Sequence, residues 1–103
     1  MESVAAERVW FAVAPDGTEH RVALQVGVPA QASDGVWWSA VSLLPMESRE
    51  QRIAGLDAWQ AVEQAMLFIA RRVGHFAADG WQFYWEHGGE PAAPSELMPG
   101  GAP

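Results

Sequence analysis

The chain has 103 residues, half of them hydrophobic, no cysteine, and thirteen acidic side chains against six basic ones, for a formal net charge of −7. A chain of about 100 residues supports one core, so a single domain is expected. The composition excludes disulfides and thiolate metal centres, disfavours phosphate-backbone partners, and offers no apolar run of the ~18 or more residues that a membrane-spanning helix needs.

In chain order, the first signals are two alternating runs. Val9, Phe11 and Val13 alternate with Arg8, Trp10 and Ala12, and Val22, Leu24 and Val26 alternate with Arg21, Ala23 and Gln25, the period of two of half-buried strands. Pro15, Asp16 and Gly17 between them supply a turn, so the pair reads as a hairpin. Taking the more apolar set as the core side places Val9, Phe11 and Val13 inward and Arg8 and Trp10 outward. Gly27 and Pro29 end the second strand, and the small, polar stretch to Gly35 reads as a loop. Val36 to Leu44 reads as a third strand with Trp37, Val41 and Leu43 inward and Trp38 outward. Pro45 to Ala54 is charged and irregular, a crossover able to hold a short helical turn around Glu47 to Gln51.

The clearest element lies between Gly55 and Gly74. Asp57 is placed as an N-cap, and Gln60 three residues on can reach back to it. Trp59, Val62, Met66, Ile69 and Val73 recur at steps of three and four and predict an amphipathic helix buried along that stripe. Gly74 can end it, with Arg71 and Arg72 in the last turn; alternatively it runs on to about Ala78 with Gly80 as its cap. Trp81, Phe83, Tyr84 and Trp85 predict a last strand with Phe83 inward and Tyr84 outward.

The expected fold is therefore α+β in two layers: an antiparallel β-meander of three strands, a fourth strand, and one main helix packed on one sheet face. The domain is expected over residues 1–86. Residues 87–103, dense in Gly and Pro, read as a tail without packed structure.

Chemistry is poorly signalled. His20, His75 and His87 share no metal-ligand spacing, no Gly-x-Ser-x-Gly elbow occurs, and Gly88–Gly89 and Gly100–Gly101 precede neither a helix nor a lysine. No catalytic residue, metal or cofactor is expected. Six tryptophans exceed what a small core requires. Trp37, Trp59, Trp81 and Trp85 fit between helix and sheet, whereas Trp10, Trp38 and Tyr84, with Arg8, Arg21 and Gln25, fall on the opposite sheet face. That face is either an aromatic and arginine-bearing interface or is covered by residues 1–6 or the tail.

Ala6, Glu7 and Arg8 with Trp10, Asp16–Gly17, Val26–Gly27 with Pro29, Gly55 and Asp57 with Gln60–Ala61, and Gly80 with Tyr84–Trp85 together resemble the pattern of a small bacterial protein family of unknown function. The resemblance covers most of the chain up to Trp85 and implies no catalytic residues.

The functional expectation is a non-enzymatic, cytoplasmic protein-interaction module, an inhibitor or immunity-type partner of a basic protein, binding through Trp10, Trp38, Tyr84, Arg8 and Arg21. Two alternatives stand beside it. One is a small-ligand binder or enzyme with an aromatic-lined pocket between the helix and the Pro45 to Ala54 crossover, where Arg49 or Arg52 holds an anion. The other is a homodimer joined through the open sheet face. Nucleic acid and membrane are not expected partners. Met1 to Glu7, acidic and without a basic stretch before an apolar run, does not read as a secretory signal.

Overall fold

The computed structural model describes Met1 and residues 3–98 and shows an α+β fold, one antiparallel sheet with a single long helix packed on it. The strands are β1 (Val4–Val13), β2 (Glu19–Gly27), β3 (Ala30–Gln31), β4 (Trp37–Leu44), β5 (Gln51–Gly55) and β6 (Gln82–Tyr84), and the helix α1 (Ala58–Ala78) lies between the last two. β1 pairs with β2 on one side and with β6 on the other. β4 is paired by β2 along Val41–Leu44 and, along its first half, by β3 and β5.

Two hairpins use one turn design. In the first, the Gly17 N–H donates to the Ala14 carbonyl at 2.8 Å, the Thr18 N–H donates to the Asp16 carboxylate at 2.9 Å, and Gly17 takes φ +88°. In the second, the Gly35 N–H donates to Ala32, the Val36 N–H to the Asp34 carboxylate, and Gly35 takes φ +89°. Each is an Ala-x-Asp-Gly turn whose glycine occupies the left-handed region, where a Cβ would be strained. The segment up to Gly35 is thus not a plain loop: it holds β3 and a second hairpin. The Pro45 to Ala54 crossover likewise contains β5 rather than a helical turn, and β5 pairs with β4 from Trp37↔Gly55 to Val41↔Gln51.

The first hairpin closes at Val13↔Glu19, which sets Phe11 opposite Arg21 and Trp10 opposite Val22. Directly opposed residues of an antiparallel pair share a face. Since Val22, Leu24 and Val26 face the helix, so do Arg8, Trp10 and Ala12, and Val9, Phe11 and Val13 face outward. The expected phase of β1 is therefore reversed. Trp10, only 1 % exposed, is the largest fully buried side chain and joins Val22, Leu43, Val41, Val73 and Phe83 in the core. For β4 and β6 the expected phase stands, with Val41, Leu43 and Phe83 buried.

The buried stripe of α1 is Ala61, Ala65, Ile69, Ala70 and Val73 rather than one led by Trp59. Its start is set by Gly55, where any Cβ would collide with the backbone of Ala61, so the first turns of the helix lie against β5 and admit only alanine. Asp57 is the N-cap: its carboxylate accepts the Gln60 N–H at 2.8 Å, while the Gln60 side chain reaches past the cap to accept the Leu56 N–H at 2.7 Å. The helix runs through Gly74 to Ala78. Gly80, at φ +107°, donates to Ala77, and the Trp81 N–H donates to Phe76, with the two rings edge-on at 5.8 Å. These are the paired bonds and apolar contact of a Schellman cap.

Beyond Tyr84 the chain doubles back instead of trailing off. The Trp85 N–H donates to Glu90, the Ala92 N–H donates to Phe83, and a short 3-10 turn at Pro94–Leu97 packs Leu97 against the core on the helix side, where Ala92 is also buried. The Gly and Pro residues supply the reversals that this path needs. The end of the expected tail, Pro99 to Pro103, lies outside the described residues. The returning segment reaches the outward sheet face at His87, whose ring stands edge-on to Phe11 at 4.7 Å, and at the other edge the Met1 ammonium pairs with Glu50 at 2.6 Å; between these two points no described segment covers that face.

Candidate functional site

The residues expected to form one surface lie in three places. Trp10 and Arg8 are on the helix side. The Trp10 ring stands 5.9 Å from Phe83 and 5.5 Å, edge-on, from Trp85, and the Arg8 guanidinium lies 5.0 Å over Trp85 while donating to the Glu96 carbonyl at 2.9 Å. Arg8 thus fastens the returning C-terminal segment to β1. The Trp10 indole N–H is the one buried side-chain polar atom among the described residues without an acceptor. Arg21 and Tyr84 do share the outward face with each other, since both stand opposite Phe11 from its two neighbouring strands. Trp38 is outward too, but it lies beyond β1 and β2, beneath the Arg52 guanidinium at 4.5 Å.

The pocket expected between the helix and the Pro45 to Ala54 crossover is closed by the direct contact of Gly55 with Ala61. Arg52 points to the outer face and Arg49 is exposed. A cavity of about 190 Å³ lies elsewhere, between Leu24 and Val26 of the sheet, Met66 and Ile69 of the helix, and Leu97. Among the described residues no group of three His, Asp or Glu side chains converges as a metal site. Ser39 is fully buried and donates its hydroxyl to the Gly27 carbonyl at 2.8 Å, a structural bond.

The feature that sequence reasoning missed is at the start of the helix. Trp59 is 81 % exposed and Leu56, one turn before it, is 86 % exposed. The cause is local. Leu56 precedes the cap, where an apolar side chain normally packs against the fourth helical residue. Here that residue is Ala61, already sealed under Gly55, so Leu56 has no partner. Trp59 flanks the same crowded stripe and is turned outward. It forms one wall of an open groove of about 460 Å³ with Pro29, Ala58, Val62 and Met66, and Glu63 stands at its edge. The helix from Ala58 to Ala70 contains no basic residue, so the acids beside the groove, Asp57 and Glu63, have no cation in those turns. A signal was present in the sequence: Gly55 with Ala61 and Ala65 marks a close helix approach that a tryptophan cannot share.

No known protein-family model matches the chain, and no curated protein or solved structure is similar to it at a significant level. No helix among the described residues is long and apolar enough to cross a membrane.

Proposed function

We propose that the chain is a non-enzymatic protein-interaction module, of the inhibitor or immunity type, that docks a basic protein on the Trp59 groove. The observation that carries this reading is the display of Trp59 and Leu56, the two most exposed large apolar side chains among the described residues, in water beside an apolar groove. Tryptophan is the residue most enriched at interface hot spots, where a central aromatic anchor is surrounded by a polar rim. The rim here is acidic, and the net charge of −7 speeds encounter with a cationic partner while discouraging an anionic one. The expected site therefore moves from the sheet face to the helix start, while the class of function stays the same. The setting supposed is the cytoplasm, and the family resembled assigns no competing activity.

Site-specific photo-crosslinking tests the reading. A photoreactive residue at position 59 is expected to give a discrete adduct with one basic protein in the source cell, absent when the same residue is placed at Arg71. No adduct at 59, or the same adduct from both positions, overturns it.

A further inference from the structure

The helix side of the sheet is filled by α1 and by the returning segment that ends in Leu97, whereas on the other side no described strand or helix is layered and only His87, edge-on to Phe11 at 4.7 Å, and the Met1 ammonium, paired with Glu50, touch the margins. That outward face carries Val9, Phe11 and Val13 from β1, Ala23 from β2, and Ala40 and Leu44 from β4, with Leu44 50 % exposed. A contiguous apolar face of this kind is seldom left in water, because layered folds bury each apolar sheet face against a second layer.

We infer that a second copy of this chain covers the outward face, giving a two-fold dimer with the two sheets back to back and the helices outside. Charge selects the second copy as occupant. In a two-fold contact each surface charge meets the same patch on its mate, so a patch of one sign repels itself. The molecule as a whole carries −7, yet on this face Arg21 and Arg52 stand with the carboxylates of Glu7 and Glu19, while Glu50 is already held by the Met1 ammonium. Both signs are therefore available for pairing across the axis. The flank bearing Trp59 has acids and no cation in the same turns, and it cannot meet itself in this way.

Size points the same way. At about 3.3 Å rise per residue and about 4.8 Å between strands, the strands present a face of roughly 600 Å² in projection. A stable interface takes about 800 Å² of accessible surface from each partner, and side-chain relief makes accessible area larger than its projection. Two such sheets pack about 10 Å apart with strands within about 30° of each other, so half-buried side chains such as Val9, Phe11 and Ala23 can interdigitate.

This dimer does not use the Trp59 groove, and equilibrium sedimentation of the full chain separates the two proposals. From about 1 to 200 μM the wild-type chain is expected to sediment with twice its monomer mass at the upper end. Leu44→Glu, at a position already half in water, is expected to raise the dimer dissociation constant at least tenfold while leaving the circular dichroism unchanged. Ala23→Arg on the neighbouring strand carries the same expectation, should the first variant fold poorly. Trp59→Ser is expected to leave the dimer intact. A wild-type monomer throughout the range, a dimer that folded Leu44→Glu and Ala23→Arg both leave unchanged, or dissociation by Trp59→Ser instead, overturns the inference.

Discussion

Asp57 bears on the helix through one well-placed bond, its carboxylate accepting the Gln60 N–H at 2.8 Å, while the Leu56 N–H just before the cap is taken by the Gln60 side chain. Replacing an N-cap acid with alanine costs about 0.5–2 kcal/mol. Asp57→Ala is therefore expected to lower the urea midpoint with an unchanged slope, and an unaltered midpoint would place the start of the helix elsewhere. The cap was legible because it depends on residues three apart in sequence. Trp59 was not, because its fate depends on Gly55, whose missing Cβ draws Ala61 onto β5 and leaves only small side chains room to face inward. Helical period alone favours the larger apolar residues as the buried stripe; the contact distance between two backbones decides otherwise.

At the scale of elements, strands and helix were readable where local chemistry repeats. Asp16–Gly17 and Asp34–Gly35 make the same turn, and reading the second as the first would have produced β3 and the second hairpin. The phase of β1 was missed because both of its faces are apolar. The information lay in its partner, where Arg21 and Gln25 mark the outward side of β2 and the turn sets Phe11 across from Arg21. With the phase corrected, Trp10 and Arg8 leave the expected site, and only Arg21, Tyr84 and the more distant Trp38 remain outward. The C-terminal segment hid for a different reason. Its Gly and Pro content argues against helix and strand, but it says nothing against a chain held by a few long-range bonds. Removing residues 87–103 would strip the Ala92 pairing to Phe83, the Arg8 bond to Glu96, and Leu97 from the core. The thermal midpoint of the truncated chain is expected to fall by more than about 8 °C, equivalent to a loss above roughly 1 kcal/mol for a domain of this size. A smaller fall would mean that the segment lies on the surface without supporting the fold.

Across the whole molecule the six tryptophans divide by role, with Trp37 half-buried at the start of β4 opposite Gly55. Trp10 fills the core, Trp81 seals the C-terminal cap against Phe76, Trp85 takes the Arg8 cation, and Trp38 lies under Arg52 on the sheet face. Trp59 alone is almost wholly in water, with Leu56 beside it. The acidic charge and the two-layer α+β fold were legible in the sequence, whereas the location of a displayed aromatic anchor required the packing. In the proposed function Trp59 serves an interaction and not the fold. Urea denaturation of Trp59→Ser against wild type, at one fixed protein concentration, tests it most directly. A surface substitution free of packing partners stays within about 0.5 kcal/mol, and that is the expected result, whereas truncating a core tryptophan such as Trp10 costs about 3–5 kcal/mol. A loss above about 2 kcal/mol for Trp59→Ser, in the range of a buried large-to-small change, would show that Trp59 is part of the core and not a displayed anchor.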